Sequence, residues 1–124
     1  MTKTRIAING FGRIGRNLFR LLLNHPTIEV VAINDIADNR TMSHLIKYDS
    51  IHEVLPFECS YDGDGIIVDG KHYSFFHERS ISNLDWKSLN IDVVVEATGK
   101  YKTFDEINFH IMVGAKKVIL SAPS

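Results

Sequence analysis

A single cysteine, Cys59, occurs in the 124 residues of the chain. With no second thiol there is no internal disulfide and no cysteine-based zinc cluster, and such sparse use of cysteine fits a reducing compartment. Charge of one sign is not in excess either. Fourteen Lys and Arg stand against 15 Asp and Glu, for a formal net charge of −1, so the composition carries no nucleic-acid or membrane-surface footprint. No apolar run approaches the roughly 20 residues needed to cross a bilayer. The segment Met1-Thr2-Lys3-Thr4-Arg5 leads straight into a predicted strand and lacks the apolar core of a secretory signal. The expectation is a cytoplasmic protein. The six histidines include no H-E-x-x-H pair and have no cysteine partners at zinc spacing, so no metal site is expected. Asp62 and Asp64 make an acidic turn too short for a calcium loop.

What is present is an ordinary globular composition, 44% hydrophobic and 23% charged, enough for one domain with a core. Its organising stretch is Ile6 to Gly15. Gly10, Gly12 and Gly15 have G-x-G-x-x-G spacing, the apolar run Ile6, Ala7, Ile8 precedes them, and Ile14, Leu18, Leu21 and Leu22 follow at helical spacing. The glycines therefore sit on a strand-to-helix turn, the context that gives this motif its meaning. Gly10 permits a tight turn, Gly12 leaves bare backbone for a pyrophosphate, and Gly15 lets helix and strand pack closely. The helix start then faces the phosphates with free N–H groups and a positive dipole end.

Asp35 ends the next apolar run, Ile28–Asn34, about 20 residues past the last glycine, where a ribose-binding carboxylate belongs. A carboxylate there accepts the ribose hydroxyls and repels a 2′-phosphate, which favours NAD over NADP. The alternative is a glycine turn that only packs a helix on a sheet.

The remaining chain reads as alternating strands and helices. Predicted strands cover Arg5–Asn9, Ile28–Asn34, His72–His77, Ile91–Ala97 and Lys116–Ser121. Predicted helices cover Arg13–Asn24, stopped by His25-Pro26, then Asn39–Tyr48 with Asp38 as N-cap, and Thr103–Val113. The last has Thr103 and Glu106 as a capping box, Gly114 as its stop, and Phe104, Ile107, Ile111 and Met112 as its apolar face. Between them Phe57–Tyr61 and Ile66–Asp69, joined by Asp62–Gly65, predict an antiparallel hairpin off the main sheet, with His72–His77 as the return. Ser82–Leu89, which holds Trp86, is a short helix or a turn. The fold class is α/β, a doubly wound, mostly parallel Rossmann-type sheet with a hairpin insertion. Five parallel strands are counted where two mononucleotide halves would supply six. The domain over residues 1–124 thus reads as truncated before its last strand, and the open edge predicts marginal stability or self-association.

Ligands of open α/β sheets bind outside the carboxyl ends of the strands. Thr98 and Gly99 follow one such strand and Ser121 ends another; each suits a loop beneath a cofactor, or an ordinary polar strand exit. Arg13 could reach the pyrophosphate or be a solvated arginine at the helix start. His110 reads as a surface or packing residue, and Cys59 as a small core side chain rather than a nucleophile.

These residues also carry a resemblance. I-N-G-F-G-R-I-G-R (8–16), V-A-I-N-D (31–35), K-Y-D-S-I-H (47–52), H-E-R (77–79), V-V-E-A-T-G (94–99) and G-A-K-K-V-I-L-S-A-P-S (114–124) resemble the N-terminal part of the phosphorylating glyceraldehyde-3-phosphate dehydrogenases. The resemblance implies that Asp35 holds the adenosine ribose and that the loop Gly10, Phe11, Gly12, Arg13, Ile14 and Gly15 holds the pyrophosphate. It further implies that Asn9, Asn34, Arg79, Thr98, Gly99, Tyr101 and Ser121 line the rest of an NAD pocket. Glu53 stands where the family usually has glycine, Ile36-Ala37 where many members place an aromatic, and Tyr101 where phenylalanine is common. The family's S-C-T-T-N-C segment, with its nucleophilic cysteine, and its base histidine are not in this sequence. In the family the thiolate attacks the aldehyde, hydride passes to NAD and phosphate releases the acyl group. The implied role is the NAD platform, inactive alone, joined to its own catalytic domain and forming a homotetramer when complete. Two other readings stay open: the same part of an erythrose-4-phosphate dehydrogenase, and a stand-alone module that keeps the fold without the chemistry.

Overall fold

The computed structural model describes residues 3–48 and 54–121. Asp49 to His52, Glu53 and Ala122-Pro123-Ser124, named above for the resemblance, lie outside the described residues. In chain order the elements are β1 (Thr4–Asn9), α1 (Arg13–Leu22), β2 (Ile28–Asn34), α2 (Asn39–Tyr48), β3 (Cys59–Tyr61), β4 (Gly65–Val68), β5 (Lys71–Phe76), a single 3-10 turn (Ile81–Asn83), β6 (Val93–Glu96), α3 (Phe104–Met112) and β7 (Lys117–Leu120). They form one sheet in the order β3-β4-β5-β2-β1-β6-β7. The pairs β5–β2, β2–β1, β1–β6 and β6–β7 are parallel, and β3–β4 and β4–β5 antiparallel. From β1 the chain winds outward through β2 to β5, then crosses back to β6 on the other side. The winding direction reverses between β1 and β6, which places the ligand crevice at their carboxyl ends. The hairpin is not an excursion off the sheet, as the sequence suggested. It extends the same sheet through β4, whose partner β5 is also the parallel neighbour of β2.

Alternation along the strands builds two cores. Ile6 and Ile8 of β1 face a cluster with Phe11, Phe19, Val30 and Ile33. Ala7 and Ala32 face the other side, where their small side chains leave room for Trp86, with Leu84, Ile91 and Val94. Both faces of the sheet are thus covered, and the near-continuous apolar runs of β1, β2 and β6 follow from that.

Helix α1 turns a different face inward from the stripe the sequence suggests. Gly15 and Phe19 are buried and Leu18 and Leu22 pack on the core, whereas Leu21 is 77% exposed and Ile14 is exposed as well. The cause is the contact at Gly15, where a Cβ would run into the Gly10 carbonyl oxygen. That approach fixes 15, 19 and 22 as the inward line. The helix stops at Leu22, before His25-Pro26, as Asn24 turns into the left-handed region at φ 59°. Its Arg20 guanidinium donates to the carbonyls of Ile46 and Lys47 at the end of α2, at 2.7 and 3.0 Å, where a cation offsets the negative end of the helix dipole. At the other end of α2, the Asp38 carboxylate accepts from the Thr41 N–H at 2.7 Å, the N-cap its position predicts.

Helix α3 begins at the expected capping box of Thr103 and Glu106, but its apolar face departs from expectation. Phe104 and Met112 are 77% and 70% exposed, Ile111 is exposed too, and the buried residue of the helix is His110. Two contacts set this rotation. Gly114 lies so close to the Lys87 backbone that a Cβ would collide with it. The His110 imidazole is committed at both nitrogens: Nδ1 accepts from the Trp86 indole N–H at 3.0 Å, and Nε2 meets Glu96 Oε1 at 2.8 Å. The indole nitrogen can only donate, so Nδ1 presents its lone pair and the imidazole proton sits on Nε2, donated to Glu96. Cys59 is half-buried against the first core cluster, and burial pushes its thiol up in pKa, which suits a packing residue.

Glu96 is wholly buried in β6, a carboxylate in the run Val93-Val94-Val95-Glu96. Burial by itself raises its pKa, and is the largest influence. Hydrogen bonds from His110, Thr98 and Asn9 together outweigh it and hold the carboxyl below its ordinary value of 4.5.

Three outcomes are expected. Gly15→Ala forces α1 off the Gly10 loop and lowers unfolding free energy by about 1–3 kcal/mol. Gly63→Ala, where a Cβ meets nothing within 4 Å, stays within about 0.5 kcal/mol of the parent in urea titrations. For Glu96, the unfolded chain takes up a proton near pH 4.5 while the folded chain resists until lower pH. Its stabilisation is therefore complete above that value and disappears as pH falls through the lower folded pKa. Unfolding free energies measured from pH 6 to 3 should fall less steeply in Glu96→Gln than in the parent.

Candidate functional site

Three loops meet at the carboxyl ends of the central strands. After β1, Gly10 adopts φ +99°, and its N–H donates to the Asn34 carbonyl at 2.8 Å. A Cβ at Gly10 would lie 2.7 Å from the Thr98 nitrogen, so the loops after β1 and β6 touch backbone to backbone, and only glycine permits both the angle and the contact. Gly12 is the N-cap of α1 and has no side-chain cap; a Cβ there would meet nothing within 4 Å. It lines an open cleft of about 260 Å³, which also places the positive end of the α1 dipole at the cleft wall.

Asp35 follows the last residue of β2 and lines the same cleft beside the glycine loop. Its Oδ2 accepts from the Phe11 N–H at 2.7 Å and its Oδ1 from the Ala37 N–H at 3.0 Å. The carboxylate thereby ties the end of β2 to the glycine loop. An ionised carboxylate offers about four acceptor positions, so two donors leave capacity for a pair of hydroxyls.

Behind these groups runs a buried amide chain. Asn9 Nδ2 donates to Glu96 Oε1 at 2.6 Å, and Asn34 Nδ2 donates to Asn9 Oδ1 at 2.8 Å. Asn34 then clasps the Glu78 backbone, donating to its carbonyl at 3.0 Å and accepting its N–H at 2.9 Å. The second oxygen of Glu96 receives the Thr98 N–H at 3.0 Å and the Thr98 hydroxyl at 2.6 Å. The Tyr101 hydroxyl donates to the Arg79 carbonyl at 3.1 Å, drawing those two loops together.

The cleft is lined by eight of the residues expected from the sequence: Asn9, Gly10, Gly12, Asn34, Asp35, Arg79, Thr98 and Tyr101. Ile36 lines it too. The other expected residues sit differently. The Phe11 ring lies in the core, edge-on to Phe19 and Phe75, so only its backbone belongs to the loop. Gly15 is buried beneath that loop, and Arg13 and Ile14 are exposed at the start of α1. Gly99 holds the loop turn at φ +75°, and Ser121 at the end of β7 gives its N–H to the Glu96 carbonyl at 2.9 Å. Lys100, Glu78 and Ile81 line the cleft without having been expected. Glu96 was also missed as a site residue, although a lone carboxylate in an otherwise apolar strand is itself a sequence signal for a buried partner.

A family model described as glyceraldehyde 3-phosphate dehydrogenase, NAD binding domain, matches residues 4–104. The chain is 48% identical over 122 residues to the glyceraldehyde-3-phosphate dehydrogenase of Thermotoga maritima, covering 97% of this chain and 37% of that protein. It is 48% identical over 120 residues to that of Geobacillus stearothermophilus, and 47% over 121 residues to glyceraldehyde-3-phosphate dehydrogenase 3 of Saccharomyces cerevisiae. Each of those covers 97% of this chain and 36% of the relative, so the chain spans little more than a third of the length of the relatives it matches. The matched segment runs from β1 to the first residue of α3 and contains every residue that walls the cleft. The chain belongs to the glyceraldehyde 3-phosphate dehydrogenase family and carries that family's NAD-binding domain.

Proposed function

We propose that the cleft at the ends of β1, β2 and β6 is the NAD site, and that the chain is the cofactor platform of an NAD-dependent glyceraldehyde-3-phosphate dehydrogenase. The observation that carries this reading is the pairing, in one cleft, of an unobstructed glycine N-cap with a carboxylate that has acceptor capacity to spare. The space left by the absent side chain of Gly12 is a cradle that fits a pyrophosphate against bare backbone. Asp35, held by the Phe11 and Ala37 amides, would accept the two hydroxyls of the adenosine ribose. Its charge would repel a 2′-phosphate. Arg79, Thr98 and Tyr101 would line the remainder, with Ile36 as an apolar wall beside the adenine. Gly99, Arg13, Ile14 and Ser121 would shape the loops around the cofactor.

When bound, NAD supplies a hydride acceptor. This chain's own residues bind and orient it; the nucleophilic cysteine and base histidine of the family would belong to a catalytic domain outside these residues. The whole protein would then oxidise glyceraldehyde 3-phosphate with phosphate uptake, as a cytoplasmic homotetramer, and the 124-residue chain alone would be inactive. The names of the relatives favour this substrate over erythrose 4-phosphate.

Asp35→Ala tests the site. It should reduce the preference for NAD over NADP by about tenfold or more, the scale of losing charge-assisted hydrogen bonds. Dissociation constants for both nucleotides from calorimetric titration give the ratio, and an unchanged ratio would contradict the assigned role.

A further inference from the structure

We infer that His110, on a helix that contributes nothing to the cleft wall, is a positioning residue for it. It acts through Glu96. This rests on reading the cleft as the NAD site.

The hydrogen bonds of the imidazole go to Trp86 and Glu96, neither of which lines the cleft. Its Nε2–H goes to Glu96 Oε1, the same oxygen that receives the Asn9 amide. The other oxygen of Glu96 holds the N–H and hydroxyl of Thr98. One carboxylate therefore fixes two cleft residues on two segments, Asn9 at the end of β1 and Thr98 on the loop after β6, and His110 fixes the carboxylate. Trp86 fixes His110 in turn, because an indole N–H on Nδ1 admits only the tautomer that donates from Nε2. All four donors to Glu96 are used at 2.6–3.0 Å, and Glu96 and His110 are both 0% exposed. No water can take the place of a lost donor without a cavity to hold it. Removing the imidazole would leave Glu96 Oε1 with one donor and free the carboxylate to rotate, carrying the Asn9 amide and the Thr98 loop with it. Asn9 also sets Asn34 and hence the Glu78 backbone, so the displacement would reach the wall that carries Asp35. A carboxylate oriented by a histidine, and orienting binding groups in its turn, is an outer-shell arrangement of the kind that tunes affinity without touching the ligand.

The test compares three variants of the intact protein. His110→Leu deletes both hydrogen bonds at similar volume. His110→Gln keeps one donor and one acceptor, as the neutral imidazole has. Val68→Ala trims a buried residue of β4 in the hairpin, away from the cleft, and controls for lost stability. His110→Leu should weaken NAD binding by about fivefold or more, while His110→Gln and Val68→Ala stay within about twofold. In protein without nucleotide, the Thr98 backbone amide and Asn9 side-chain amide NMR signals should move in His110→Leu and hold in Val68→Ala. If His110→Leu does not fold, Trp86→Phe removes the donor to Nδ1 together with part of the buried ring; it should move the same two signals, while Val68→Ala, which also trims the core, does not. Unmoved signals, or NAD affinity unchanged in His110→Leu, would overturn the inference. Failure of the parent to bind NAD would refute the reading of the cleft instead, and the nucleotide-free signals would still decide the role of His110.

Discussion

The Glu96 carboxylate is the constraint on which this end of the molecule depends. A buried charge with no donors would cost several kcal/mol. Here four hydrogen bonds from Asn9, Thr98 and His110 surround it and keep it ionised. Satisfying that carboxylate determines where the loops after β1 and β6 lie. It also decides which face α3 turns to the sheet. The helix has Phe104, Ile111 and Met112 available for burial and buries His110 instead, because the imidazole serves both Trp86 and Glu96 and those three apolar side chains cannot. A polar group in the core has thus overruled the apolar periodicity of the helix.

The second constraint is backbone proximity. At the point where the winding of the sheet reverses, the Gly10 loop lies against the Thr98 backbone, and α1 presses on the Gly10 carbonyl through Gly15. Side chains at these two positions would push the loop into the cleft or the helix off the sheet. Gly12 differs from both, since a Cβ there would meet nothing within 4 Å; packing does not demand its glycine, and in the proposed NAD site the bare backbone would serve what enters the cleft. The same spacing motif therefore holds three glycines with three separate physical reasons.

Much of this was legible in the sequence. The G-x-G-x-x-G turn between Ile8 and Leu18 and the carboxylate at Asp35 gave the location of the cleft, since both depend on local chain geometry. The capping box at Thr103 and the Asp38 N-cap were legible for the same reason, because each pairs groups within one turn. Helix rotation was not. The stripe Ile14, Leu18, Leu21, Leu22 is an apolar pattern, but the inward line follows from the Gly15 contact with a loop. The buried chain from Trp86 through His110 and Glu96 to Asn9 joins residues 24, 14 and 87 positions apart, beyond any local pattern. The core placement of Phe11 was hidden because a loop residue beside a binding motif reads as a binding residue. Its ring, edge-on to Phe19 and Phe75, instead anchors that loop from below.

The most direct test is a crystal structure of the intact protein grown with NAD. The account predicts the pyrophosphate against Gly12 at the start of α1, both adenosine ribose hydroxyls on Asp35, and Glu96 still joined to His110 and Thr98. A dinucleotide seated elsewhere, or one in the cleft with its ribose away from Asp35, would contradict it.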